Sequence, residues 1–319
     1  MELRVGESRS GWLHLVDHVA AAAIIFGNHF PGLPIPRPTA VIPSLAFHPL
    51  TPMSHHLNVR HAGLPQSLRQ ALERRKLLKV IAGLTNREQT SVLRIAHAAS
   101  AGGADLIDVA CQPSLVRQVA STCPGLPICV SAVDPELFAA AVAAGAAMVE
   151  IGNYDTFYPQ GRIFGADEVL GLTRRTRELL PRVVLSVTVP HVLPLDQQEQ
   201  LAMDLARAGA DIIQTEGGTS SRPLSAGIAG LIEKATPTLA AAHAISRAVD
   251  LPVWCASGLS AVTVPMAFAA GASGVGVGSA VNRLHNELAM VAVVRALREA
   301  MAPAERATVD TVVQAEPLA

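Results

Sequence analysis

From Leu77 onward the sequence repeats one kind of unit eight times, a short β-branched run followed by an alanine-rich helical stretch, and nothing else in it limits the fold as strongly. The strand runs are Lys79 to Leu84, Ala104 to Ala110, Pro127 to Val133, Met148 to Asn153, Val183 to Val189, Asp211 to Glu216, Pro252 to Ser257 and Gly274 to Ser279. Helical stretches fall between them, at Glu88 to Ser100, Pro113 to Ser121, Glu136 to Ala144, Asp167 to Leu180, Leu195 to Ala208, Thr238 to Val249, Ser260 to Ala270 and Asn286 to Met301. Four helices end in one phrase, AGGAD, AAGAA, RAGAD and AAGAS. A left-handed glycine closes the helix there, and a small residue lets the next strand start close to the layer below.

Eight βα units in about 225 residues predict a (β/α)₈ TIM barrel. A doubly wound open sheet is disfavoured, because it needs a switch point and no GxGxxG follows the first strand. The barrel is expected over residues 71–305, with a tail over 306–319. Residues 1–70 show no periodicity, carry Pro31, Pro34, Pro36 and Pro38, and hold seven of the eleven histidines, so they predict a poorly ordered extension. Leu15 to Phe26 is interrupted by Asp17 and His18 and lacks a cleavage site, so export and membrane insertion are not expected.

Half of the residues are hydrophobic, enough for a sizeable core, and the formal charge is −1 without a basic run. A nucleic-acid groove is therefore not indicated, and a small molecule is the expected partner, with a homo-oligomer left open. The four cysteines form no CxxC pair, which fits reduced thiols in a cytoplasm-like compartment. No HxH, HExxH or acidic cluster occurs, so no metal is expected.

A barrel's chemistry sits at the C-terminal strand ends and the loops after them. Polar residues crowd those positions: Asn86, Asp108 and Cys111, Ser131, Glu150, Asn153 and Asp155, Thr188 and His191, Gln214 and Glu216, and Ser257. In DIIQTEGGTSSRP, from Asp211 to Pro223, alternation puts Ile212, Gln214 and Glu216 on one face. Glu216, His191 and Asp108 are the candidate acid/base groups, with structural hydrogen bonds and ion pairs as the competing explanation. ASGLS and GVGVGSAVN bring glycines and helix starts to the ends of strands 7 and 8, the usual barrel phosphate position. Candidate ligand contacts are Ser257, Gly258, Gly276, Gly278 and Ser279, with Asn153, Tyr154, Gln214, Gly217 and Gly218 beside them; the alternative for the glycines is tight barrel closure.

Four of the eleven aromatics, Tyr154, Phe157, Tyr158 and Phe164, lie in the loop Gly152 to Phe164. They predict either a lid over a planar ligand or a small core of the loop's own. Lysine is limited to Lys76, Lys79 and Lys234, so a Schiff-base aldolase would need Lys234 from the long loop after strand 6. Lys79 opens strand 1 at the barrel floor and needs an anion such as Glu150 or Asp108 across the lumen, either as a buried ion pair or as a charge placed near a ligand ring.

Taken together, LKVIAGL, GGADLIDVAC, PICVSAVDPELF, VEIGNYDTFYPQG, LSVTVPH, LDQQEQLA, GADIIQTEGGTSS, GLIEKATPTLAAA, CASGLS and GVGVGSAVN resemble the hypothetical chloroplast reading frame twenty-three family of plastids and cyanobacteria. The resemblance spans Lys76 to Leu297 and implies an aldolase-type (β/α)₈ barrel, cytoplasmic or, in plastid relatives, stromal; the family carries no assigned reaction or catalytic residue. The first 70 residues depart from its pattern, as a lineage-specific arm or through a true start at Met53. Three functions stay open: an enzyme with a phosphate-bearing ligand, flavin mononucleotide (FMN) first among them; a non-flavin isomerase, synthase or lyase on a sugar phosphate; and a metabolite-binding regulatory barrel.

Overall fold

A computed structural model of the chain describes residues 60–217 and 222–302. Eight parallel strands close into a barrel in sequence order: β1 Leu77–Gly83, β2 Leu106–Ala110, β3 Ile128–Ala132, β4 Met148–Ile151, β5 Val184–Thr188, β6 Ile212–Gln214, β7 Val253–Ala256 and β8 Gly274–Val277. Closure is made by β1 pairing with β8, with Lys79 opposite Gly276. All eight expected strands are present. Most of the expected extension, residues 1–59, lies outside the described residues, as do the tail and Gly218.

The helices are α1 Gln66–Glu73, α2 Gln89–Gly102, α3 Pro113–Thr122, α4 Phe138–Ala143, α5 Ala166–Leu179, α6 Leu195–Ala208, α7 Gly227–Ala248, α8 Val264–Ala269, the single turn α9 Ser279–Asn282 and α10 Glu287–Ala300. Gly103 and Gly209 close α2 and α6 in the left-handed region, with φ of 83° and 98°. There a Cβ would crowd the following carbonyl, so the repeated Ala-Gly-Ala phrase stops each helix in register for the next strand.

Two expectations need correction. Helix α1 crosses the boundary set at residue 70, because Leu68, Ala71 and Leu72 are buried with Leu77, Leu106, Met148, Ile212 and Trp254. Those strand residues point into the lumen's lower end, and α1 plugs it. Helix α7 starts eleven residues before the expected Thr238, since Pro237 reads as a breaker yet lies inside the helix. Pro237 and Thr238 pack on Gly217, where an added Cβ would stand 3.0 Å from each. Lys234 is consequently on α7 and not in a loop.

Strand alternation layers the lumen. The lowest layer is apolar. Above it comes a polar layer whose members Lys79, Asp108, Glu150, Ser186 and Gln214 are all buried. Lys79 therefore stands two residues into β1, above the floor and not at the strand's opening. Glycines in β8 make the room: a Cβ on Gly274 would come 2.7 Å from the Trp254 ring, and one on Gly276 would come 3.1 Å from Ile81 and 3.4 Å from Lys79.

Candidate active site at the C-terminal mouth

Apart from Ser186, whose Oγ has no hydrogen-bond partner among the described residues, the polar layer is one connected network, joined where Asn153 Nδ2 also reaches Glu150 Oε1 at 3.4 Å. Lys79 Nζ donates to Glu150 Oε2 at 2.6 Å and lies 5.1 Å from the centre of the Trp254 ring. Gln214 Nε2 donates to Glu150 Oε1 at 2.8 Å and to Thr188 Oγ1 at 3.1 Å. Ser131 Oγ donates to Asp108 Oδ1 at 2.5 Å, and Asn153 Nδ2 reaches Asp108 Oδ2 at 3.1 Å. Asn153 manages this from a left-handed backbone, φ 63°, a conformation asparagine tolerates better than most residues.

Burial is the largest influence on these charges. Burial pushes the Asp108 carboxyl up to about 7; the Lys79 ammonium opposes that shift and the Glu150 charge adds to it. Burial alone would lower Lys79, but Glu150 and Asp108 hold it above the usual lysine range.

A second cluster sits higher, at the strand ends. Glu216, just beyond β6, is 2 % exposed, and four groups converge on its carboxylate. Tyr158 OH donates to Oε2 at 2.8 Å, the Asp155 N–H donates to Oε1 at 2.9 Å, His191 Nδ1 lies 3.1 Å from Oε2, and the His191 N–H approaches it at 3.5 Å. Asp155 Oδ1 is 3.6 Å from His191 Nδ1, and Asp155 Oδ2 accepts from Ser257 Oγ at 3.2 Å. Burial raises the Glu216 carboxyl, against the pull of His191 and Tyr158 and with the Asp155 charge adding to the rise. Burial would lower His191, yet the Glu216 hydrogen bond and charge raise it. A buried carboxyl and an imidazole 3.1 Å apart, each raised from its ordinary value, are placed to pass a proton between them.

Through Ser257 the cluster is joined to the loop after β7. Ser257 and Gly258 are consecutive left-handed residues, with φ of 74° and 73°, and both are half-buried. A Cβ on Gly258 would stand 2.6 Å from the Lys234 carbonyl oxygen, so only glycine lets α7 come this close. Burial and then the charge of Arg283, the residue after α9, lower the Lys234 ammonium. Lys234 thus lies beside the Gly258 turn and within electrostatic reach of Arg283.

The model of the family described as protein of unknown function DUF561 matches residues 64–307. The chain belongs to this family. The uncharacterized protein ycf23 of Cyanophora paradoxa is 45% identical over 225 residues, which span 69% of this chain and 90% of that protein. The ycf23 protein of Pyropia yezoensis is 37% identical over 227 residues, 71% of this chain and 83% of that protein. Among solved structures, 3-hexulose-6-phosphate synthase superposes with a TM-score of 0.51 at 18% identity, covering 71% of this chain and all of the other, a likeness of fold. The DUF561 match opens at residue 64, ahead of the Lys76 start expected for the family segment, and so takes in the α1 plug.

In this DUF561 barrel the expected site residues separate into two tiers. His191 and Glu216 meet at the mouth, with Ser257 joined to them through Asp155. Asp108 lies in the lower tier with Asn153 and Gln214. Gly278 and Ser279 are half-buried beyond β8, whereas Gly276 and Gly217 owe their missing side chains to lumen and helix packing. The aromatic loop mostly forms its own core: Tyr154 is fully buried and stacks on Phe164 at 4.6 Å, and Phe157 meets Phe164 at 5.5 Å. Tyr154 is thus packed inside the loop, and Tyr158, 5.1 Å edge-on to His191, is the loop aromatic in the mouth cluster. Sequence reading missed Asp155 and Tyr158 as partners of Glu216, and Arg283 as the companion of Lys234. No helix among the described residues is long and apolar enough to cross a membrane.

Proposed function

We propose that this protein is an enzyme acting on a small phosphate-bearing metabolite at the C-terminal mouth, with Glu216 and His191 as its proton-transfer pair. The observation that carries this reading is the 3.1 Å contact between His191 Nδ1 and a Glu216 carboxylate that is buried, raised and fixed by Tyr158 and the Asp155 N–H. Residues arranged only for stability gain little from such a pair, because a buried carboxylate costs more than a packed apolar side chain. The phosphate reading is supported by the place of two cations: Lys234 lies against the Gly258 turn after β7 and Arg283 follows α9 beyond β8, where a phosphate ester would accept charge-assisted hydrogen bonds.

In this arrangement the phosphate anchors the ligand beside β7 and β8 and its reacting carbon lies toward Glu216. Glu216 takes or returns the proton, the His191 imidazole holds the exchanged charge, and Tyr158 keeps the carboxylate in one rotamer. An isomerase, synthase or lyase reaction on a sugar phosphate fits this better than FMN chemistry, since Tyr154, Phe157 and Phe164 are packed on one another and not left to face a flavin ring.

The test is to release and weigh the small molecules that co-purify with the full-length protein. A phosphorylated metabolite is expected, and its turnover should fall about 100-fold or more in Glu216→Gln while its affinity changes little. Turnover that survives Glu216→Gln contradicts the acid/base assignment. Release of FMN, with absorbance near ~450 nm, contradicts the sugar-phosphate assignment.

A further inference from the structure

Three side chains at the mouth come from three different strand ends: Asp155 follows β4, His191 follows β5 and Glu216 follows β6. One ligand-type atom of each lies within 4.8 Å of the other two. His191 Nδ1 is 3.1 Å from Glu216 Oε2 and 3.6 Å from Asp155 Oδ1. Atoms bound to one ion at about 2.1 Å stand roughly 3.0 Å apart at right angles and 3.4 Å apart at the tetrahedral angle, so these separations suit a shared cation with little rearrangement.

An independent observation comes from Asp155. Its Oδ1 is buried and has no hydrogen-bond partner among the described residues, although a buried carboxylate oxygen is ordinarily paired. The rest of the cluster is already oriented from behind: Ser257 Oγ holds Asp155 Oδ2, while the Asp155 N–H and Tyr158 OH hold the two oxygens of Glu216. Hydrogen bonds of this kind fix metal ligands in place. The lower tier lacks the pattern, because Lys79 already neutralises Glu150.

We infer that Asp155, His191 and Glu216 form a binding site for one divalent first-row transition-metal ion of the manganese, iron or zinc type. One imidazole with two carboxylates suits such ions better than calcium, which takes oxygen ligands, and leaves positions open for a ligand. The inference deepens the proposed function and rests on it only for the ion's role: at this position it would polarise a carbonyl or enediolate oxygen of the metabolite. The ion would share Glu216 and His191 with proton transfer, so metal binding itself is what must be measured.

The experiment is calorimetric titration of manganese chloride and zinc chloride into chelator-treated full-length protein, with Asp155→Asn and Glu216→Gln alongside. One ion per chain is expected, bound at least tenfold more weakly by either variant, with a rise in thermal midpoint seen in the wild type and lost in the variants. Unfolding curves of the metal-free variants keep the comparison valid, and the nitrogen coupling in the electron-spin-echo spectrum of bound manganese should vanish in His191→Gln. No saturable binding of either ion overturns the inference. Binding undiminished by Asp155→Asn also overturns it, because the ion then sits elsewhere, for instance on the histidines among residues 1–59. Phosphate-ester binding without metal binding would leave the proposed function standing and remove this inference; metal binding without phosphate-ester binding would do the reverse.

Discussion

Lys79 and Glu150 face each other across the lumen at 2.6 Å with neither side chain exposed. Such a pair adds little net stability relative to an apolar filling, yet half of it is costly to remove. Lys79→Met should therefore lower unfolding free energy by about 3–5 kcal/mol, leaving Glu150 charged and uncompensated. The double change Lys79→Met with Glu150→Leu should recover most of that loss. Urea unfolding of the four proteins in the cycle measures the coupling.

Asp108 supplies a pH signature. Its folded value, about 7, stands above the ordinary 3.8, so the folded state holds the proton more tightly than the unfolded chain. The stability it contributes is complete below about 4 and is lost as pH rises through the window up to about 7. Asp108→Asn keeps the shape and removes the proton, so its thermal midpoint should change less than that of wild type between those limits. Calorimetry across that range reads the difference, and equal slopes would contradict the assignment.

His191 reports on Glu216. Burial would hold the imidazole below 6.5, and the Glu216 hydrogen bond and charge hold it above. In chelator-treated protein, Glu216→Gln should move the His191 titration down to or below 6.5, as followed by proton–nitrogen spectra of the ring. The sign follows from linkage: in wild type the pair's stabilisation by imidazolium is full below 6.5 and fades as pH climbs through the raised value. A variant that titrates like wild type would show that Glu216 does not govern the imidazole.

The barrel could be read from the sequence because its rules are local. Alternation placed Ile212, Gln214 and Glu216 on one face, the Ala-Gly-Ala phrase marked helix ends, and strand ends pointed to His191 and Glu216 as acid/base candidates. What escaped depended on distance in space. Asp155, His191 and Glu216 are separated by 36 and 25 residues, so no motif spacing could announce a ligand set. Lys234 comes within electrostatic reach of Arg283 from α7, which begins early and carries Pro237 inside it, against the usual meaning of proline. Tyr154 and Phe164 were ambiguous because an aromatic loop with its own core and an aromatic lid have the same composition.

Lys234 and Arg283 should act together on a phosphate. Removing one charge-assisted contact costs about 1.5–3 kcal/mol, which is roughly 10- to 100-fold in affinity. Lys234→Ala should thus weaken phosphate esters by that factor and flatten the salt dependence of binding, without altering affinity for the dephosphorylated compounds. Fluorescence or calorimetric binding at two ionic strengths is sufficient to see it.

The central claim is that the mouth above Glu216 and His191 receives a phosphate-bearing metabolite. Isothermal titration of sugar phosphates and their unphosphorylated counterparts into full-length wild-type protein and the Lys234→Ala, Arg283→Ala double variant tests it most directly. The account predicts saturable binding of phosphorylated compounds alone, lost in the double variant. Equal binding of both compound classes, or phosphate-ester binding that the double variant retains in full, would contradict it.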